Sequence, residues 1–133
     1  MKLFLDSSAI IEFLKGNDKA RDAIAAADEL YTSSICAYEV LVGEKFVELK
    51  GMHSSYQNTL KFFDSILTLQ FTYADSVRAS EIAAELMLKG RKVDDFDVLL
   101  ASQALANGAT ILTKDYRHFE VIEDSTDLSV EAL

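Results

Sequence analysis

The sequence predicts an α/β domain in which helices cover both faces of a central parallel sheet. Short apolar segments with the length of strands alternate with segments that repeat apolar residues every three or four positions, the spacing of amphipathic helices. Strands buried on both faces have apolar centres, as do the runs Lys2–Leu5 and Thr110–Thr113. At 133 residues, without a linker or an internal repeat, the chain is predicted to form a single domain, 1–133.

The elements follow one another closely along the chain. Each helix is inferred from its apolar spacing together with a polar residue or a glycine at one end, and each strand from a short apolar run. Gly108 is a good helix stop, because glycine tolerates the left-handed conformation. In chain order the predicted elements are strand 2–5, helix 9–14, helix 17–27, strand 30–33, helix 35–49, helix 54–66, strand 67–69, a helix from 75 or 76 to about 89, a helix with Asp97 in its first turn that ends before Gly108, strand 110–113 and a weakly alternating strand at 119–122.

The composition narrows the classes of function. The net charge of −9 makes the chain a poor passive binder of nucleic acid, which leaves either no nucleic acid at all or nucleic acid reached through bound divalent cations. Cys36 is the only cysteine, which excludes internal disulfides and Cys-rich zinc sites and favours a small core residue over a nucleophile. No apolar run reaches the ~18 residues of a membrane span, and no leader is recognised. We expect a cytoplasmic protein outside the membrane, with the acidic residues after Phe119 as a solvated tail.

Two acids fall on apolar helix stripes. Counting in helical steps from Leu100 places Asp97 on an inward stripe, and Glu39 shares a stripe with Val42 and Phe46. A carboxylate that points toward a core is costly unless a cation or hydrogen bonds compensate it. We therefore predict that both carboxylates face inward and have such a partner.

Two further acids follow predicted strands, and the four are expected to meet. In a parallel sheet the carboxyl edge is where ligands bind, and Asp6 and Asp115 both come after strands. Converging carboxylates repel one another, which a divalent cation relieves, and an all-oxygen set suits Mg²⁺ or Mn²⁺. Such an ion can activate water and neutralise charge on a phosphodiester. The predicted ligands are Asp6, Glu39, Asp97 and Asp115, and the candidate phosphate contacts beside them are Arg91, Lys92, Lys114 and Arg117.

Four segments of the chain resemble the PIN-domain nucleases, and within them most closely the VapC-type ribonuclease toxins of toxin–antitoxin pairs: LDSSAII, TSSICAYEVLVGE, DFDVLLASQAL and ATILTKDYRHF. The resemblance implies a Rossmann-like three-layer α/β/α sandwich, RNA cleavage that depends on Mg²⁺ or Mn²⁺, a homodimer and inhibition by a small antitoxin. The family's acidic metal-binding positions match Asp6, Glu39, Asp97 and Asp115, its hydroxyl residue before the last acid matches Thr113, and its hydroxyl after the first acid matches Ser7 or Ser8.

Three secondary expectations concern other residues of the chain. Asp94 or Asp95 is expected to be a helix N-cap, with an outer contact to the metal through water as the alternative. His118 is expected to lie at the surface or in packing rather than to act as a general base. For the dimer, the exposed faces of the helices around Phe62 and Tyr73 are expected to form an isologous interface.

Two other protein families fit the same residues less well. A haloacid-dehalogenase-type phosphatase needs a second Asp two residues after Asp6, where Ser8 stands. A response-regulator receiver needs an Asp at the end of a middle strand, and Asp64 lies in a helical pattern. Two alternatives remain open: a PIN-like RNA-processing nuclease outside a toxin system, and a non-catalytic PIN-like binding module whose acidic pocket is only structural.

Overall fold

The computed structural model describes residues 1–133 and contains five strands and seven helices. None of the helices combines the length and the apolarity that crossing a membrane requires. In chain order the elements are β1 (Lys2–Leu5), α1 (Ser7–Leu14), α2 (Asp18–Ala26), β2 (Glu29–Ser33), α3 (Ser34–Leu49), α4 (Tyr56–Ser65), β3 (Leu67–Leu69), α5 (Tyr73–Leu88), α6 (Asp95–Ala106), β4 (Thr110–Thr113), α7 (Tyr116–Ser125) and β5 (Val130–Ala132).

The sheet is wholly parallel, in the order β3-β2-β1-β4-β5. The chain first builds outward from β1 to β3 and then returns to pair β4 with the free edge of β1, so that Leu5 lies beside Leu112. The strand order therefore reverses between β1 and β4. A crevice forms at the carboxyl ends of two such strands, and these ends lead directly to Asp6 and Asp115.

The helices form two layers. Contacts link α1 with α2 and α3, and α3 with α4, whereas α6 contacts both α5 and α7. Right-handed crossovers place these two sets on opposite faces of the sheet. The predicted α/β class and the three-layer sandwich are thus confirmed. Between the layers lies one apolar core, in which Phe4, Leu5, Ile111 and Leu112 are completely buried.

The strand predicted at 119–122 is wrong, because this segment belongs to α7. Phe119 and Ile122 are both buried and stand three positions apart, a helical spacing that a weak alternation of four residues concealed. The last strand is β5, which the sequence analysis missed. Its start is held by Glu123, whose carboxylate accepts hydrogen bonds from the Val130 amide (2.9 Å) and from the Tyr116 hydroxyl. The segment after Phe119 is therefore not simply a solvated tail.

The inward face predicted for α3 is also wrong. Val42 and Phe46 are 49 % and 60 % exposed, and Glu39 is exposed beside them. The face that packs on the sheet carries Cys36 and Val40 instead. Both faces of α3 carry apolar residues four positions apart, so the spacing alone does not select the buried one. Cys36 is buried as expected, and this burial raises the pKa of its thiol to about 11.

Candidate functional site

A pocket of about 540 Å³ opens at the carboxyl ends of β1 and β4. Its lining comes from both layers of helices, because the pocket lies at the point where the strand order reverses. All four predicted acids line it, namely Asp6, Glu39, Asp97 and Asp115, and both predicted serines, Ser7 and Ser8, line it with them. The structure thus brings to one place residues that lie up to 109 positions apart in the sequence, from Asp6 to Asp115.

Asp6 is the buried member of this set. As the N-cap of α1 it accepts a hydrogen bond from the Ala9 amide (2.8 Å), and it accepts others from the Ser8 hydroxyl (2.7 Å) and the Thr113 hydroxyl. Burial raises the pKa of Asp6, the nearby Asp115 raises it further, and the three hydrogen bonds oppose them. Three donors aimed at one carboxyl group favour its ionised form, which is the form that binds a cation.

Thr113 connects the ends of the two central strands. Its hydroxyl donates to Asp6 and accepts from the Asp115 amide (2.9 Å). Ser8 makes a parallel connection, since its hydroxyl donates to Asp6 and accepts from the Lys114 amide (2.9 Å). These two hydroxyls therefore fix the position of Asp6 relative to the backbone that carries Asp115.

Glu39 reaches the pocket from the exposed face of α3. Its Oε1 accepts a hydrogen bond from the Ser7 hydroxyl (2.8 Å). This carboxylate is therefore solvated and held by one side chain, rather than compensated inside the core as its predicted stripe required. The two adjacent serines have different roles, because Ser7 orients Glu39 while Ser8 orients Asp6.

Asp97, in the first turn of α6, has a side chain that is 15 % exposed. Burial is the main reason that its pKa rises from the ordinary value of 3.8 to about 6, and the negative charges of Asp94, Asp6 and Glu39 add to the rise. The His118 side chain opposes it, with Nδ1 lying 3.8 Å from Oδ2 of Asp97. Of the four acids, Asp97 alone lies within ion-pair distance of a side chain that can carry positive charge, and its pKa is raised despite this contact.

The donor set fits a hard divalent cation. It consists of carboxylate and hydroxyl oxygens, and the four acids are coupled to one another, since Asp115 acts on Asp6 while Asp6 and Glu39 act on Asp97. No three acidic, histidine or cysteine side chains are already arranged as a metal-binding group. A cation would therefore have to draw the carboxylates together, which is the expected response of repelling groups to a positive charge.

The four predicted phosphate contacts divide into two pairs. Lys92 and Arg117 line the pocket, and neither forms an ion pair. The other two do not line it: Arg91 lies 3.8 Å from Asp124, and the Lys114 ammonium lies 3.1 Å from Glu12. The structure thus leaves Lys92 and Arg117 as the cations available to a ligand in the pocket.

Two lining residues, Phe96 and Val121, were not predicted from the sequence, whereas Asp94 and His118 were expected in the roles given above. His118, expected in a surface or packing role, is exposed but lies beside Asp97. Asp94 is the N-cap of α6, with its Oδ1 accepting from the Phe96 amide (2.9 Å), and it also lines the pocket. Phe96 lines it as well, together with Val121 from α7. For Asp94 and His118 the available signal was their spacing of three positions from Asp97 and Asp115, because residues three apart on a helix are neighbours. Phe96 and Val121 have no such spacing from these acids.

The raised pKa of Asp97 predicts how the metal-free protein responds to pH. The folded state holds the proton more tightly than the unfolded chain does, so ionising Asp97 costs stability. This cost is absent below about pH 3.8 and complete above about pH 6. At 1.36 kcal/mol per pKa unit it amounts to at most about 3 kcal/mol. We expect Asp97→Asn to raise the free energy of unfolding in chelator by about 1–3 kcal/mol at pH 7.5, and by about half as much at pH 5.

Urea unfolding at the two pH values checks this prediction. Asp95→Asn is the matched control, because Asp95 is the neighbouring acid of the same helix and does not line the pocket. A loss of stability in Asp97→Asn at pH 7.5, or a gain of equal size at both pH values, would contradict a repelled and buried carboxylate.

The sequence and the site together define the class of protein. The family model of the PIN domain matches residues 3–124, and the chain belongs to the PIN domain family. It is similar to "Ribonuclease VapC19" of Mycobacterium tuberculosis, with 26 % identity over 128 residues that cover 93 % of this chain and 96 % of that protein.

Solved structures share the fold over the whole chain. A VapBC2 structure from Rickettsia felis, bound to a DNA fragment from its promoter, matches with a TM-score of 0.80 and 24 % identity and covers 100 % of this chain and 99 % of its own. A DNA-bound VapBC structure from Salmonella typhimurium matches with a TM-score of 0.79 and 22 % identity, covering 99 % and 98 %. At these identities the structural matches establish the fold alone.

Proposed function

We propose that the protein is a metal-dependent endoribonuclease and the toxin of a toxin–antitoxin pair. The observation that carries the proposal is the meeting of four carboxylates in one pocket at the point where the strand order reverses. The family membership and the similarity to a VapC ribonuclease support it. Asp6, Glu39, Asp97 and Asp115 would hold Mg²⁺ or Mn²⁺, which supplies an activated water and neutralises charge on the phosphodiester.

Other polar residues in the pocket and beside it would bind the RNA and orient the carboxylates. Lys92 and Arg117 provide positive charge for the phosphates on either side of the cleaved bond. Ser8 and Thr113 would favour the ionised form of the Asp6 carboxyl group and hold it in place, because the hydroxyl of each donates a hydrogen bond to it. His118 lies close enough to Asp97 for its protonated form to lower the repulsion in the pocket.

Incubation with RNA tests the proposal directly. The purified protein is expected to cleave RNA internally with Mg²⁺ or Mn²⁺ and to stop when the ion is chelated. Binding of RNA without cleavage in either ion would support the non-catalytic binding module instead. Sequencing the new 5′ ends would then define the substrate, and a single cleaved precursor RNA would favour the processing nuclease over the toxin.

The proposed antitoxin would cover an apolar surface beside the pocket. On α3 the exposed side chains Tyr38, Val42 and Phe46 follow one stripe, and Glu39 stands next to it in the pocket lining. A partner helix on this stripe can direct an Arg side chain at the carboxylates and so compete with the metal. If a basic partner that blocks cleavage binds Val42→Asp as tightly as the wild type, this surface is not its site.

A homodimer is proposed through α5. The face predicted around Phe62 is not used for this interface. Phe62 is half-buried, and its ring centroid lies 5.3 Å from that of Phe13. Tyr73, Val77 and Leu88 instead form an exposed stripe on α5, with 85 %, 41 % and 90 % of their surface accessible. Sedimentation at micromolar concentration should give a dimer for the wild type and a monomer for Val77→Glu, and a wild-type monomer would refute the proposal.

A further inference from the structure

One aromatic side chain distinguishes the pocket from the rest of the surface. Of the four exposed aromatic residues, Phe96 alone lines the acidic pocket. It is 47 % exposed and stands in the first turn of α6, directly before Asp97. A single exposed Phe is ordinary, but one that lies in the same pocket as a candidate reaction centre has a position that a ligand can use.

Three other apolar residues line the pocket together with Phe96. The four apolar residues of the pocket lining are Val93, Phe96, Leu100 and Val121. All come from α6, from the segment that leads into it, or from α7, whereas Ser7, Ser8 and Glu39 come from the other layer. The apolar part of the lining therefore comes from the layer of α6 and α7, which also supplies polar residues, whereas the other layer contributes only polar ones.

The cations of the pocket come from the same layer as Phe96. Lys92 precedes α6 and Arg117 lies in α7, and both lack ion-pair partners. An exposed aromatic ring with cations beside it is the combination by which proteins bind single-stranded nucleic acid: the cations follow the phosphates and a base stacks on the ring. The volume of about 540 Å³ lies within the range of pockets that hold a small ligand.

We propose that Phe96 is the stacking platform for a nucleobase next to the cleaved phosphodiester. The proposal rests on the proposed function, because it takes RNA as the ligand of this pocket. A base stacked on Phe96 would lie in the pocket that Asp97, Lys92 and Arg117 also line, so that its phosphate would meet these side chains there. A paired base is already stacked on both sides and would have to leave its duplex to occupy this place.

The stacking can be observed without cleavage. The chain contains no tryptophan, so Phe96→Trp introduces a single indole fluorophore into the pocket. In an Asp6→Asn background, which the proposed function predicts to be inactive, a single-stranded oligoribonucleotide should quench this fluorescence in Mg²⁺ at low salt. An abasic oligomer of the same length should quench it far less. Phe46→Trp is the matched control, because Phe46 is also an exposed phenylalanine but does not line the pocket.

Affinity and cleavage complete the test. Phe96→Ala is expected to weaken binding of the single strand by roughly tenfold or more, whereas Phe96→Tyr should retain it, and neither change should affect the abasic oligomer. Equal quenching by the intact and abasic oligomers, or quenching by a duplex as strong as by the single strand, would overturn the proposal. Its failure is distinguishable from that of the proposed function: a wild type that cleaves RNA while Trp at position 96 senses no base refutes the platform alone.

Discussion

Asp97→Asn is expected to lower the rate of RNA cleavage by about a hundredfold or more. The change keeps the shape of the side chain but removes the charge of a pocket acid whose pKa is raised to about 6. Loss of residues that only support metal ligands typically costs 10–100-fold, so loss of a ligand should cost at least the upper end of that range. The measurement is the single-turnover rate at saturating Mg²⁺ with enzyme in excess of RNA.

The control for this experiment must be another acid of α6. Asp95→Asn removes the same charge two residues earlier, outside the pocket lining, and should retain nearly the full rate. A general effect of net charge on RNA binding would appear equally in both variants. If Asp97→Asn cleaves as fast as Asp95→Asn, Asp97 is not a ligand and the assignment of the site is wrong.

Thr113→Val should reduce cleavage by about 10–100-fold, the usual cost of removing a residue that supports a metal ligand. Valine has nearly the same shape but no hydroxyl. The substitution therefore removes one of three donors to the buried Asp6 and leaves the Asp115 amide without its acceptor. With a donor lost, the pKa of Asp6 should rise further, and the loss of rate should grow as the pH falls.

Two variants separate this positioning role from a packing effect. Thr113→Ser restores the hydroxyl without the methyl group and should recover most of the rate. If Thr113 acted only through the packing of its methyl group, this variant would not recover it. Thr32→Val removes another fully buried threonine hydroxyl, one that donates to the Leu5 carbonyl (2.9 Å) in the neighbouring strand. It should cost stability with little loss of rate, and an equal loss in both Val variants would refute the special role of Thr113.

The features of the fold that follow from the order of strands and helices along the chain were predictable from the sequence. Short apolar strands that alternate with helices favour parallel pairing through crossovers, and in a parallel sheet Asp6 and Asp115 emerge at the same edge. Asp97 was also predictable, because Leu100 and Ala101 are both buried in α6 and fix the face on which it lies. These inferences used spacing within one element or the geometry of a parallel sheet.

The failures arose where spacing was ambiguous or where the partner was distant in sequence. α3 offers two apolar stripes, and only the packing of α1 and α4 against it decides that Phe46 stays outside. The ion pair between Lys114 and Glu12 joins residues 102 positions apart, so the adjacency of Lys114 to Asp115 was misleading. In β5 only Val130 is partly buried, and so short an edge strand has no apolar pattern to recognise.

The direct test of the shared metal site is a crystal structure of the protein soaked with Mn²⁺, with the ion located by its anomalous scattering. The four carboxylates are predicted to close on it, so that Mn²⁺ is bonded to oxygen atoms of at least two of Asp6, Glu39, Asp97 and Asp115. In a crystal of Asp97→Asn soaked under the same conditions, the anomalous peak of Mn²⁺ should be weaker or absent. An empty pocket in the wild type at saturating Mn²⁺, or a peak that is bonded to none of these four residues, would contradict the metal-dependent site.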